Sequence, residues 1–286
     1  QSGLGAASRI FEFVDLKNDI PEGKKTIKKF DEIQLNEVFF KYPNTEKNVL
    51  EGINVKFVKN KKIAIVGPSG SGKSTLLGLM IRLFDLDKGK ITIGNEDIKD
   101  LRLTNLRSFF SLVSQDTVLF DGSISENIKY NSKLSIKSIE KFAKLACLEE
   151  VIEKLPKGLN SQIGENGVKL SGGQRQRVCI ARALSLSPKL IIADESVSAL
   201  DVSVQKQVLE LLQELQREQG MSYVFISHDM AVVEQVCSKV AVMNCGRIVE
   251  IGPRDAIFNN PQHSYTQQLL AAVPIADPNR RGHFSN

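Results

Sequence analysis

Residues 67–75 read Gly67-Pro68-Ser69-Gly70-Ser71-Gly72-Lys73-Ser74-Thr75, and they fit the phosphate-binding pattern G-x-x-x-x-G-K-[ST] at every fixed position. The apolar run 63–66 before them predicts a buried strand, and the apolar residues from Leu76 to Leu83 after them follow helical spacing. Glycines allow such a loop to curl, so that several backbone N–H groups converge on phosphate oxygens at the start of a helix. The stretch therefore predicts a P-loop at a strand-to-helix turn.

The side chains of this loop have distinct predicted tasks. Hydrogen bonds to a charged group contribute roughly 1.5–3 kcal/mol each, against roughly 0.3–1 kcal/mol for a charge at a helix dipole, so the converging amides outweigh the dipole. Lys73 adds a mobile positive charge for the β- and γ-phosphates, and the Ser74 hydroxyl is placed for Mg²⁺. A glycine-rich turn that binds nothing is the alternative, and nine consecutive matching residues argue against it. The other predicted nucleotide-binding residues of the loop are Gly67, Ser69, Gly70, Ser71, Gly72 and Thr75.

The composition is ordinary for a soluble globular protein, with 42% hydrophobic and 25% charged residues among 286. No stretch approaches the roughly 20 apolar residues of a membrane span, and the N-terminus lacks the apolar core of a signal peptide. We therefore expect the chain to be soluble when isolated and to need a partner for any membrane role.

The net charge of +5 comes with dispersed lysines, which predict a solvated surface and no nucleic-acid partner. The four cysteines lack C-x-x-C spacing and predict reduced thiols.

The N-terminal part predicts a linker followed by a β-rich layer. Residues 1–30 combine a short amphipathic piece with a lysine-rich tract, which is typical of a linker from an upstream segment. Residues 33–60 have strand-like spacing with a turn at 43–44, and residues 90–93 suggest another strand followed by polar turns. Tyr42 is either a buried tyrosine at a strand end or an aromatic face that stacks on adenine.

The middle of the chain predicts a helical lobe inserted into an α/β core. The spacing is helical from about residue 123 to 157, and Gln115 before it is weak evidence for a site when taken alone. Ser171, Gly172, Gly173 and Gln174 then precede another helix. Their small side chains predict a second anion-binding helix start, with the Ser171 hydroxyl and the Gly173 N–H available. Alone, these residues could be only a turn and an N-cap.

Two later strands end in polar residues. An apolar strand at 190–193 is followed by Asp194 and Glu195, and carboxylates at strand ends of a parallel sheet face the ligand crevice. Asp194 is placed to hold Mg²⁺ through water, and Glu195 to orient and deprotonate an attacking water. A lone Asp-Glu pair is usually a solvated strand end, and the upstream P-loop is what favours the functional interpretation. The apolar strand at 223–226 is likewise followed by a polar residue that can face the crevice, His228.

The order of these motifs resembles the nucleotide-binding domain of an ABC transporter over nearly the whole chain. The resemblance implies that Tyr42 stacks on adenine, that Gln115 touches Mg²⁺ and senses the membrane domain, and that residues 171–174 form the signature. In this family two domains form an ATP-dependent head-to-tail dimer. Each ATP lies between one subunit's P-loop and the other's signature, so residues 171–174 are a ligand site only across the dimer.

The same resemblance implies the catalytic roles. Asp194 and Glu195 are similar to Walker B with its catalytic glutamate, residues 198–201 to the D-loop with Asp201, and His228 to the switch histidine. Catalysis is thereby expected to involve Glu195, His228, Gln115 and Lys73. The expected Mg²⁺ ligands are Ser74, Gln115 and Asp194.

The resemblance is not uniform along the chain. Up to about residue 169 it is to multidrug- or lipid-type exporters, carried by residues 9–13, 115–120 and 163–167. From about residue 170 it is to dipeptide, oligopeptide or glutathione importer ATPases, and it is carried by residues 178–184, 198–204, 225–230, 248–253, 261–266 and 269–274. The chain therefore predicts a natural or constructed hybrid with a seam near 168–172. Importer relatives with an iron–sulfur cluster use cysteines in the C-terminal tail, and we expect no cluster because none follows Cys245.

The sequence thus predicts an α/β fold: a P-loop ATPase core with a parallel sheet, an antiparallel β layer and an inserted α-helical subdomain. The expected activity is MgATP hydrolysis that powers transport at the cytoplasmic face of a bacterial inner membrane, or its organellar equivalent, with membrane-spanning transporter domains as partners. A hybrid that binds nucleotide without productive transport, and a soluble ABC-type ATPase acting on nucleic acid or ribosomes, are the alternatives. The expected divisions are 1–30 (linker), 31–114 (β layer and P-loop half), 115–185 (helical subdomain with signature), 186–255 (second half of the core) and 256–286 (appendage).

Overall fold

The computed structural model describes residues 20–43, 45–114, 116–130, 132–196 and 202–272, which form two β-sheets and the helices that cover them. The strands are β1 (Glu32–Phe40), β2 (Leu50–Val58), β3 (Lys62–Val66), β4 (Lys88–Ile93), β5 (Glu96–Asp97), β6 (Phe110–Val113), β7 (Leu190–Asp194), β8 (Ser222–Ile226), β9 (Lys239–Asn244) and β10 (Arg247–Pro253). The helices are α1 (Lys73–Met80), α2 (Leu103–Arg107), α3 (Ile124–Lys129), α4 (Ile136–Leu145), α5 (Glu149–Glu153), α6 (Gly172–Ser185), α7 (Val202–Gln219), α8 (Met230–Val236), α9 (Arg254–Asn259) and α10 (Ser264–Ala271).

The larger sheet has the strand order β10-β9-β3-β8-β7-β6, and its neighbours pair in parallel except for β10 with β9. The smaller sheet has the order β2-β1-β4-β5 and is antiparallel throughout. The predicted parallel core with an antiparallel layer is therefore confirmed. Because β3, β7 and β8 run in the same direction, the residues that follow these strands meet at one edge of the sheet.

The central strands are apolar on both faces because both faces are covered. In β3, Ile63 and Ile65 pack into a core shared with α1 and the antiparallel sheet, whereas Ala64 and Val66 pack under the helical lobe. This alternation follows from the two-residue period of a strand. Helix α1 shares the first of these cores, and seven of its eight residues are buried.

The described part of the N-terminal segment is bound to the β layer, which the linker interpretation did not anticipate. The backbone N–H of Lys25 donates to the Asp100 carbonyl at 2.8 Å, and the N–H of Ile27 donates to Asn105 Oδ1 at 2.8 Å. The stretch after residue 93 was predicted as polar turns, and this is wrong for its central part. A 3₁₀ turn at Ile98–Asp100 and helix α2 form there, because Leu101 and Leu106 are fully buried.

Helices α3 to α6 lie between β6 and β7 in the chain, where the helical lobe was predicted. Serines cap three of them, and Ser123 and Ser171 form reciprocal capping boxes with Glu126 and Gln174. At the C-terminal end, Glu250 of β10 accepts hydrogen bonds from the backbone N–H groups of Gln262 and His263, which ties the start of α10 to the sheet. None of the described helices is both long enough and apolar enough to cross a membrane.

Candidate functional site

The P-loop connects β3 to α1, as predicted, and its shape requires glycine at two positions. Gly70 and Gly72 have φ values of +76° and +100°, a region that other residues avoid. A Cβ atom on Gly72 would also lie 2.7 Å from Leu50 Cδ2, so β2 leaves no room for a side chain. The loop therefore lies closely against β2 and turns directly into α1, whose first N–H groups have no partners within the helix.

Lys73 is folded back onto the loop that precedes it. Its Nζ donates to the carbonyl oxygens of Gly67 and Pro68, both at 2.9 Å, and the residue is 7% exposed. Burial lowers the pKa of Lys73, and the charges of Glu195 and Asp194 oppose this effect. The ammonium group is thus held among neutral carbonyls and beside two carboxylates.

The Ser71 hydroxyl is a buried polar group within the P-loop. Its oxygen is buried and has no hydrogen-bond partner within the part of the chain that the structure describes. A buried hydroxyl without a partner costs roughly 1–3 kcal/mol, so such groups are rare unless a ligand or water completes them. Its position inside the P-loop makes a phosphate oxygen the fitting partner.

Two carboxylates and a histidine lie at the ends of β7 and β8. Asp194 Oδ2 lies 3.5 Å from the Ser74 hydroxyl, which brings the end of β7 to the start of α1. Glu195 has a φ of +45°, and its N–H donates to the Ile226 carbonyl of β8 at 3.0 Å. His228 Nδ1 lies 3.3 Å from Glu195 Oε1. The end of β7 therefore brings Asp194 to the P-loop, and His228 after β8 contacts Glu195.

The charge of Asp194 is unfavourable in the folded chain. Burial raises its pKa, the neighbouring Glu195 adds to the rise, and Lys73 and the Ser74 hydrogen bond oppose it. The folded-state pKa lies above the unfolded value, so the charged carboxylate lowers the free energy of unfolding at neutral pH. This destabilisation decreases as the pH falls through the folded-state pKa, because the carboxyl group of the folded chain is then protonated.

Asp194→Asn is therefore expected to raise the melting temperature of the ligand-free chain by about 1–3 °C at pH 7. The difference from the unchanged chain should shrink as the pH falls through the raised pKa of Asp194, because the folded chain then holds a protonated, neutral carboxyl there. Calorimetric melting across this pH range measures it. A lower melting temperature for Asp194→Asn at pH 7 would show that the charge is stabilising.

One cavity of about 450 Å³ joins Lys73 and Ser74 to Asp194 and Glu195, whereas Gly67, Ser71 and His228 do not line it. It opens at the carboxyl edge of the parallel strands, where ligands of such sheets bind. The structure therefore brings Tyr42 and most of the predicted P-loop residues together with both carboxylates. The lining residues are Tyr42, Val49, Ser69, Gly70, Gly72, Lys73, Ser74, Thr75, Asp194 and Glu195.

Tyr42 lies at the rim of this cavity and is half-buried. Its hydroxyl is hydrogen-bonded to Thr75 Oγ1 at 2.9 Å, and its ring contacts Phe40 and Phe84. No local sequence pattern indicated Thr75 or Phe84 as its partners, because these contacts join segments more than 30 residues apart. Tyr42 is thus both a packed tyrosine and a lining residue, so its predicted stacking role stays a prediction.

The predicted signature lies elsewhere in the chain. Ser171 caps α6, with its hydroxyl accepting from the Gln174 N–H at 3.3 Å, and a Cβ on Gly173 would lie 2.3 Å from Val204 Cγ1 of α7. Ser171, Gly173 and Gln174 line a second cavity of about 480 Å³, which shares no lining residue with the P-loop cavity. Within one chain these residues therefore have a capping and packing role.

Arg182 fixes the segment that follows Gln115 to the signature helix. Its guanidinium donates to the Val118 carbonyl at 3.0 Å, to the Asn127 carbonyl at 3.0 Å and to Asn127 Oδ1 at 2.6 Å. It also lies over the ring of Phe120, 5.1 Å from its centroid.

Gln115 itself and residues 198–201, including Asp201, lie outside the described residues, so their assignments stay predictions.

The fold and the site define a P-loop nucleotide-binding domain, and comparisons with known proteins narrow this class. The family profile described as "ABC transporter" matches residues 50–198, and that described as "Oligopeptide/dipeptide transporter, C-terminal region" matches residues 249–285. The chain therefore belongs to the ABC transporter family.

Three relatives illustrate the match. The glutathione import ATP-binding protein GsiA of Pectobacterium atrosepticum is 43% identical over 245 residues, which cover 82% of this chain and 38% of that protein. The ATP-dependent lipid A-core flippase of Vibrio parahaemolyticus is 40% identical over 273 residues, which cover 94% of this chain and 46% of that protein. A bacterial Atm1-family ABC exporter with ATP bound has a TM-score of 0.83 and 29% identity, covering 94% of this chain and 47% of that one.

The chain thus spans less than half the length of each of these relatives. The mixed resemblance is confirmed, because an import ATPase and a flippase match at similar identity. The two matches cover 82% and 94% of this chain, so each continuous alignment must run across residues 168–172. The seam near those residues therefore stays a prediction.

Proposed function

We propose that this chain binds MgATP in the P-loop cavity and hydrolyses it to power a membrane transporter. One observation carries the proposal: a single cavity is lined by Lys73 and Ser74 of the P-loop and by Asp194 and Glu195 at the end of β7. Phosphoryl transfer to water needs positive charge on the phosphates and a group that positions the water. Both kinds of group border this one cavity.

Lys73 and the loop amides bind the phosphates. The ammonium contacts neutral carbonyls of Gly67 and Pro68 in the free loop, and a phosphate oxygen is a stronger partner because its hydrogen bond is charge-assisted.

Ser74 and Asp194 are the described residues that would hold Mg²⁺, with Gln115 as a further ligand. A hydroxyl and a carboxylate are the hard oxygen donors that this ion prefers, and their oxygens already lie 3.5 Å apart. When bound, the ion neutralises phosphate charge that develops during transfer.

Glu195 orients the attacking water and accepts its proton. Its backbone is fixed to β8 by the hydrogen bond to Ile226, so the carboxylate is held at the cavity wall. His228, whose Nδ1 lies 3.3 Å from that carboxylate, keeps Glu195 in place and contacts the phosphate side when the site closes.

We also propose that two chains assemble head to tail around ATP. This is supported by the separation of the two cavities, because the signature residues do not line the P-loop cavity of their own chain. In the dimer, Ser171 and Gly173 of one chain, with Asp201, would contact the ATP held by Lys73 of the other. The Ser171 hydroxyl would then exchange its capping bond for a phosphate oxygen.

The transporter role places the chain at the cytoplasmic face of a membrane beside membrane-spanning domains. It is supported by the names of the relatives, an import ATP-binding protein and a flippase. It is supported further by exposed apolar side chains held around Arg182, with Val118, Phe120 and Tyr130 between 48% and 56% exposed. An exposed aromatic cluster of this kind is typical of a protein interaction surface.

A steady-state assay of phosphate release by the purified chain, with Mg²⁺ and with chelator, tests the proposal. Release that depends on Mg²⁺ is expected. Binding of ATP without release would favour an idle hybrid, and absence of ATP binding would overturn the proposal. An activity that instead required added RNA or ribosomes would favour the soluble ABC-type alternative.

The Tyr42 ring is expected to contribute to base binding. Tyr42→Phe loses only the hydrogen bond to Thr75, so its affinity for ATP should stay within about threefold. Tyr42→Ala should bind ATP more weakly by roughly 1–3 kcal/mol, taking aromatic–base stacking as the guide. Calorimetric titration measures both. Equal affinities for all three proteins would leave Tyr42 with a packing role alone.

A further inference from the structure

We infer that Phe84 is a positioning residue for Tyr42, and that helix α1 thereby sets the base contact relative to the phosphates. The inference rests on the proposed function, because it concerns how the P-loop cavity contacts the base of a bound nucleotide. Three groups hold the Tyr42 side chain. They are the Thr75 hydroxyl at 2.9 Å, the ring of Phe40 at 5.0 Å and 81°, and the ring of Phe84 at 5.3 Å and 88°.

Phe84 is itself placed by α1. Its Cδ2 and Cε2 atoms lie 3.6 Å from the position that a Cβ on Gly78 would take, so the ring covers the bare backbone of the helix there. The N–H of Leu83 donates to the Gly78 carbonyl at 2.8 Å. Thr75 and Gly78 are three residues apart and therefore share one face of α1. Two of the three groups that hold Tyr42 thus belong to, or rest on, the helix that begins at Lys73.

The turn that carries Phe84 is held on both sides. Arg82 is 2% exposed, and its guanidinium donates to Asp85 Oδ1 at 2.7 Å and to the Lys99 carbonyl at 3.1 Å. Arg107 donates to the Arg82 carbonyl at 2.8 Å. A buried arginine is kept in one arrangement by such partners, because losing any of them leaves charge or donors unsatisfied. The turn therefore gives the Phe84 ring a fixed place.

Phe84 and its neighbour Leu83 are suited to a direct test, because both are exposed, at 37% and 49%. Replacing either leaves little empty space in the core. Phe84 forms the ring contact with Tyr42, and its neighbour Leu83 has no aromatic ring, so Leu83 provides a control on the same turn.

The experiment compares the binding of ATP and of inorganic tripolyphosphate, each with Mg²⁺, by calorimetry on the whole chain. Tripolyphosphate has no base, so it reports the phosphate contacts alone. Phe84→Ala should weaken ATP binding about 3–10-fold, which corresponds to the loss of one edge-to-face aromatic contact. The same variant should change tripolyphosphate binding less than about twofold. Phe84→Tyr should restore ATP binding, and Leu83→Ala should alter neither ligand.

A double variant shows whether Phe84 acts through Tyr42. If it does, Phe84→Ala combined with Tyr42→Ala should bind ATP no more weakly than Tyr42→Ala alone. Unchanged ATP affinity in Phe84→Ala, equal losses for ATP and tripolyphosphate, or additive losses in the double variant would each overturn the inference. If Tyr42→Ala binds ATP normally, the proposed base contact itself is wrong. If Tyr42→Ala is weak and Phe84→Ala is normal, only the role of Phe84 is wrong.

Discussion

Glu195→Gln should lower kcat for ATP hydrolysis by about 10²–10⁴-fold while leaving ATP binding largely intact. Glutamine keeps the size of the side chain and its contact with His228, whose Nδ1 lies 3.3 Å away, but it cannot accept the proton of the attacking water. Single-turnover and steady-state phosphate release measure the loss. Glu214→Gln is the matched control, because that carboxylate is exposed on α7 away from the cavity.

The same variant should accumulate as an ATP-bridged dimer, because in the proposed dimer hydrolysis of ATP would release the two chains. Light scattering with and without MgATP measures the mass directly. If the predicted seam near residues 168–172 is real, the P-loop would lie in the exporter-like part of the chain, and Glu195 and the signature would lie in the importer-like part. If Glu195→Gln stays monomeric at saturating ATP and high protein concentration, these two faces do not fit each other. The chain would then be a nucleotide-binding module without a working composite site.

Lys73→Ala should weaken ATP binding at least tenfold. It removes a charge-assisted contact worth roughly 1.5–3 kcal/mol, and the bonds of Lys73 to the Gly67 and Pro68 carbonyls are lost without a replacement. Calorimetric titration with ATP measures the change in Kd. Unchanged affinity would remove Lys73 from the phosphate site.

Lys62→Ala provides the comparison for this substitution. Lys62 is half-buried, and burial lowers its pKa as it does that of Lys73, but it stands at the start of β3, at the far end of that strand from the P-loop. Its replacement should leave ATP affinity unchanged. A similar loss in both variants would point to a general effect of lysine removal on the core.

The sequence predicted the elements whose signals are local. The strand before Gly67 and the helix after Thr75 were predicted from spacing alone, as were the apolar strands that became β7 and β8. Helix α2 was missed, because its five residues are too few to show a period and its apolar residues are separated by polar ones. The contacts of Lys25 and Ile27 with residues 100–105 were missed because they join polar segments that lie far apart in the chain.

By itself, the sequence determined the chemistry: a phosphate-binding loop, carboxylates and a histidine at strand ends, and a small-residue helix start, all set by short-range backbone rules. Only the tertiary structure decided which of these groups meet. The strand order places β8 between β3 and β7, so Asp194 and Glu195 reach the P-loop across one intervening strand. The packing of Gly173 against Val204 places the signature at a separate cavity. These arrangements arise because both faces of the parallel sheet must be buried. That burial depends on all the strands and helices together, so no single position in the sequence indicates it.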